Sequence, residues 1–62
     1  MSKFEVVFST TTQAFEDNYE YELDFVLTQV QYAAVSLGRD FSRLHDSNGS
    51  RVGFFNHQKG DE

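Results

Sequence analysis

Apolar and polar residues alternate through Lys3-Phe4-Glu5-Val6-Val7-Phe8-Ser9-Thr10 with the period of two that marks a half-buried strand. Phe4, Val6 and Phe8 share one face, and Lys3, Glu5 and Ser9 share the other with Val7. β-Branched and aromatic side chains suit a pleated surface, so a strand is predicted over residues 3–10. A polar link, Thr10-Thr11-Thr12-Gln13, follows it, with Phe15 expected as an apolar plug.

The period then changes. Leu23, Val26, Leu27, Val30, Ala33, Ala34 and Leu37 recur at helical spacing and form one stripe, extended a turn by Tyr19. Asp17 or Asn18 suits the cap, and Asp17-x-x-Glu20 has the spacing of a capping box. Glu20, Glu22 and Asp24 fall in the first two turns, where the helix dipole favours carboxylates. Gly38 is a natural left-handed stop, which ends the helix near Leu37.

Asp46-Ser47-Asn48-Gly49-Ser50 signals a hairpin turn between strands at 41–45 and 51–55. A three-residue turn with a bulge sets Leu44 opposite Val52 and is the preferred register, whereas a two-residue turn sets it opposite Gly53. Gly53 also suits a bulge that turns Val52 and Phe55 to the same side. The polar run from His57 to Glu62 reads as a flexible tail, leaving residues 1–56 as one domain. The predicted fold is α+β in the order β-α-β-β, with one helix on one face of a small three-stranded sheet. A right-handed crossover makes the first strand parallel to the second.

The far side of the helix is unusual for so small a domain. Tyr21, Phe25, Thr28, Tyr32 and Val35 lie nearly half a turn from the core stripe and are expected to face solvent. Exposed aromatic stripes are uncommon on monomers, and aromatics are enriched in interface cores, so this face is a candidate partner-binding site. Charge adds to it. Of the 10 Asp+Glu in the 62-residue chain, half lie between Glu16 and Asp24, and no basic residue lies between Glu16 and Gly38. Glu20, Glu22 and Asp24 therefore join the candidate site as steering charges.

The net charge of −5 opposes direct binding to a nucleic-acid backbone. No run approaches the ~18 apolar residues of a membrane span, and no charged-then-apolar signal pattern opens the chain. A cytoplasmic protein is expected. There is no Cys for a disulfide or thiolate site, and His45 and His57 lack metal-ligand spacing, so no metal or cofactor is expected. The carboxylates form no predicted cleft, the Ser9–Thr12 hydroxyls have no motif partner, and the glycines are dispersed. Asp46-x-Asn48-Gly49 echoes a calcium loop only in part and reads as turn chemistry. No catalytic residue is assigned, and no enzyme is expected.

Ala14-Phe15-Glu16-Asp17-Asn18 before the helix, and Leu44-His45-Asp46-Ser47-Asn48-Gly49-Ser50-Arg51-Val52-Gly53 after it, resemble a group of short proteins of bacteriophages and other mobile elements. That group has no assigned activity. Its outer helix face is polar and often basic, where this chain has Tyr21, Phe25, Tyr32 and Val35. The resemblance implies a phage-encoded protein acting in the host bacterial cytoplasm. The expected function is a non-enzymatic module that binds and modulates a host protein through the acidic and aromatic helix face. Two alternatives stand beside it: a homodimer using that face as its seam, and an acidic DNA mimic that inhibits a nucleic-acid-binding protein.

Overall fold

The computed structural model describes residues 2–60 of the chain. In order these form β1 (Lys3–Phe8), α1 (Gln13–Asp17), α2 (Tyr19–Gln31), a wide π-type turn (Tyr32–Ser36), β2 (Phe41–His45) and β3 (Arg51–Gln58). The fold is small α+β, a three-stranded sheet with one main helix. Strand order is β1-β3-β2, and both pairings are antiparallel. β1 and β2 therefore run in the same direction, as the crossover required, but β3 lies between them.

Helix formation begins earlier than the capping pattern implied. Residues 13–17 make a short helix of their own, ended by Asn18 in a non-helical conformation (φ −156°, ψ 81°). Asn18 then caps α2, its side chain accepting from the Tyr21 amide at 3.4 Å. Asp17 does not cap; it accepts from the Gln13 side chain at 2.9 Å. At the other end the last turn widens, with Leu37 N donating to Tyr32 O and Arg39 N to Ala33 O. Gly38 follows at φ +68°, the left-handed stop. Widening shifts the helical phase by part of a residue, so Leu37, placed in the core stripe by an unbroken 3.6 period, is half exposed.

The buried cluster is Phe15, Val26, Ala33, Leu44, Val52 and Phe55, with Phe8, Leu23, Val30 and Ala34 packed against it. Phe15 is the expected plug. Leu27 and Tyr19 are exposed, because α2 is rolled so that the row Glu22, Val26, Gln29 and Ala33 faces inward instead.

The hairpin combines both sequence alternatives. Gly49 N donates to Asp46 O and Asp46 N to Ser50 O, with Gly49 at φ +88°, which is the three-residue turn with its left-handed glycine. A further irregularity between Leu44 and His45 adds one residue on β3, so His45 pairs with Arg51 but Leu44 with Gly53 rather than Val52. That extra residue lets Val52 and Phe55 both enter the core. β3 also runs past residue 56: His57 pairs with Phe4 and Gln58 with Lys3. These two residues belong to the sheet and not to a flexible tail, because β1 supplies a partner for every one of them. The last two residues of the expected tail lie outside the described residues.

Gly53 sits where the bulge presses β3 onto β1. A Cβ there would lie 2.0 Å from Val7 O and 2.5 Å from Phe8 Cα, both backbone atoms. Gly53→Ala is expected to lose about 1–3 kcal/mol of stability by forcing the strands apart. Gly49→Ala, which meets open space and only the strain of positive φ, should lose about 1 kcal/mol. Urea denaturation of both variants checks the order.

Candidate functional site

The outer helix face is largely as expected. Tyr21, Tyr32 and Val35 are each more than half exposed, and Thr28, Glu20 and Asp24 are exposed beside them. Phe25 is half-buried at the margin, its ring stacked on Tyr21 with centroids 6.3 Å apart and planes at 25°. Among the described residues neither Glu20 nor Asp24 makes an ion pair. Among the described residues the acidic end of α2 thus keeps these two charges unpaired, next to exposed Tyr21.

Glu22 departs from this set. It is 3% exposed and points to the hairpin, not to solvent. Its Oε1 accepts from Ser47 N at 2.9 Å, and its Oε2 accepts from the Ser47 hydroxyl. Two turns along, the Gln29 side chain donates to His45 O and accepts from His45 N at 3.2 Å. Glu22 is therefore a structural clasp and cannot steer a partner. Sequence polarity placed it outside, because hydrophobic patterning sorts a carboxylate to the solvent face whatever backbone group awaits it.

Asp46 is the second buried acid, 2% exposed. Its Oδ1 accepts from Asn48 N at 3.0 Å and Ser50 N at 2.9 Å, which is the turn chemistry that the Asp-x-Asn-Gly pattern implied. Oδ2 and the Thr12 hydroxyl are both buried without a fully formed hydrogen bond, and Thr12 lies close enough to act on the carboxylate. Burial pushes the Asp46 carboxyl up; Thr12 and the amides of Ser50, Asn48 and Gly49 outweigh it and hold the group below its ordinary value. Asp40 is also held low, chiefly by Lys59 at 3.1 Å and then by His57 at 3.4 Å.

The sheet carries a second apolar surface. Val7, Phe41 and Phe54 are exposed on the sheet face away from α2, with the Phe41 and Phe54 rings 6.0 Å apart and the Arg43 guanidinium 5.7 Å from the Phe41 ring centre. The signal was present: consecutive Phe54-Phe55 in a strand must send one aromatic to each face. A cleft of ≈ 340 Å³ opens between the wide turn and β2, lined by Tyr32, Ala33, Leu37, Arg39 and Ser42 among others. It brings neither His nor carboxylate together. His45 is exposed on β2, while His57 is half-buried on β3 beside Asp40. Among the described residues no three His, Asp or Glu side chains are grouped to hold a metal ion. Among the described residues no helix is long and apolar enough to cross a membrane. No family model, no curated protein and no solved structure matches the chain.

Two predictions test the acids. Glu22→Ala should cost about 1.5–3 kcal/mol by unfolding assay, since it strands the Ser47 amide, whereas exposed Glu20→Ala should stay within about 0.5 kcal/mol. Asp40 and Asp46 have folded values below 3.8, so their stabilisation is present above that pH and is lost as pH falls through the folded values. Asp46→Asn should lower Tm at neutral pH, and its deficit against wild type should shrink from about pH 5 down to about pH 2 in a thermal melt series.

Proposed function

We propose that the chain is a non-enzymatic protein-binding module whose docking surface is the outer side of α2 and the wide turn. The observation that supports this most directly is the exposure of Tyr21, Tyr32 and Val35 along the outer side of the helical region, with Glu20 and Asp24, which lack ion pairs among the described residues, at its N-terminal end. Tyrosines bury large rigid area at low entropic cost, and unpaired carboxylates at the rim favour a partner with a basic border. Glu22 drops out of the surface. Phe25 supports it from behind through its stack on Tyr21. The resemblance to short phage proteins makes a bacterial host protein the partner class proposed, with modulation of that protein as the role.

Tyr21 and Tyr32 are the positions to test, because Phe25 is half-buried and its loss would disturb packing. Tyr21→Ala/Tyr32→Ala should keep the wild-type far-UV spectrum and Tm. In affinity capture from bacterial lysate, the partner retained by wild type should be lost by the double variant, a drop in affinity of at least about tenfold. Equal retention by both proteins sinks the helix face as the docking surface. Loss of the partner on raising salt, with wild-type bait, assigns the larger share to Glu20 and Asp24.

A further inference from the structure

We propose that two copies of this chain associate through the free edge of β1, antiparallel about a two-fold axis at Val6, to make one continuous six-stranded sheet. The parity of the ladder identifies the edge. Ser9 N donates to Val52 O at 2.9 Å, just beyond the end of β1. In an antiparallel ladder alternate residues face the partner, so Val7, Glu5 and Lys3 direct their backbone groups to β3. Phe4, Val6 and Phe8 consequently direct theirs outward, and no hydrogen bond to them is formed from elsewhere among the described residues.

The two edges of the sheet differ at His45. On β2 the parity set by Asp40 O, which accepts from His57 N, turns His45 outward, and there the Gln29 side chain closes both of its backbone groups. Among the described residues β1 carries no proline, no bulge and no covering side chain, and its only charges, Lys3 and Glu5, are paired with each other. Its inner-face side chains are only partly covered, Phe4 at 48% and Val6 at 36% exposure. A strand of this kind is a template for another strand.

The edge is self-complementary, and that selects a second copy. With Val6 opposite Val6, Phe4 meets Phe8 of the partner copy, Glu5 meets Val7 and Lys3 meets Ser9. Every outward amide then faces an outward carbonyl, and no like charges are opposed. Moving the axis to Glu5 opposes two carboxylates, and moving it to Phe4 leaves Val6 and Phe8 without strand partners. Although each chain carries a net charge of −5, the two charges on β1 already neutralise each other, Lys3 Nζ lying 3.3 Å from Glu5. Within each copy the ring centroids of Phe4 and Phe55 lie 5.5 Å apart and those of Phe8 and Phe15 6.2 Å apart, so a Phe4–Phe8 pair at the seam would extend this aromatic packing from one copy to the other. The two cores would join edge to edge, with both α2 helices on the same side of the sheet and their tyrosine faces still free.

One strand edge buries less than a standard interface, so dissociation on the order of micromolar is expected. Sedimentation of the wild type over a dilution series should show a monomer–dimer equilibrium. Val6→Pro removes an amide that the β3 ladder does not use, so the folded monomer should persist while dimerisation weakens at least tenfold; Val6→Lys should do the same by charge. Hydrogen exchange gives an independent reading. The amides of Phe4, Val6 and Phe8 should gain protection as concentration rises, while those of Glu5 and Val7 stay protected throughout. A wild type that remains monomeric at high micromolar concentration overturns the proposal. So does a dimer that survives Val6→Pro with those three amides unprotected, and one abolished by Tyr21→Ala/Tyr32→Ala would place the seam on the helix.

Discussion

Glu22 and Gln29 hold the backbone of the hairpin, and the roll of α2 follows from them. They lie seven residues apart on one line of the helix and reach Ser47 and His45 respectively. An orientation set by the apolar stripe alone would bury Leu27, worth about 1.5–3 kcal/mol. It would also free the Glu22 carboxylate from one backbone and one hydroxyl bond, worth about 1.5–3 kcal/mol each, and the Gln29 amide from two backbone bonds. The polar side of that comparison wins. Val26 and Ala33 remain at the centre of the contact, and Leu27 turns to the surface.

Much of the fold was legible because its signals are local. Alternation gives β1, the 3.6 period gives α2, and Asn48-Gly49 gives the hairpin. Gly38 stops the helical region where a left-handed residue is needed. What escaped was set between segments distant in the chain. The inward turn of Glu22 depends on Ser47, the ordering of His57 and Gln58 on Phe4 and Lys3, and the displacement of Leu44 to Gly53 on a bulge chosen by core packing. Asn18 separates two helices, and its side-chain chemistry marks only the start of the second; the short helix at Gln13–Asp17 carries no side-chain cap of its own.

Of the candidate surface, the exposed part was the readable part. Thr28 and Val35 stand outside because they lie more than a quarter turn from the inward row, while Tyr21 and Tyr32, each next in sequence to an inward residue, are exposed at its flank. Residues near the boundary, Glu22 and Phe25, are decided by the roll of α2, and sequence periodicity does not fix it. The opposite sheet face with Val7, Phe41 and Phe54 leaves a second apolar area on the molecule. A thin two-layer domain has no third layer to cover it, so large side chains contributed by a central strand are exposed on one side or the other.

β3 is the centre of the sheet and the last strand in the chain, paired on one side with its near neighbour β2 and on the other with β1. The hairpin half closes over a short turn at little entropic cost. Pairing Lys3 with Gln58, by contrast, joins the two most distant parts of the sheet and must close a loop that spans nearly all the described residues. On a ribosome β1 and both helices emerge with no strand between them and β2, and they wait for the segment that organises them. In chain order, therefore, both edges of the sheet are synthesised before its middle, and neither β1 nor β2 has a strand to pair with until β3 joins the chain.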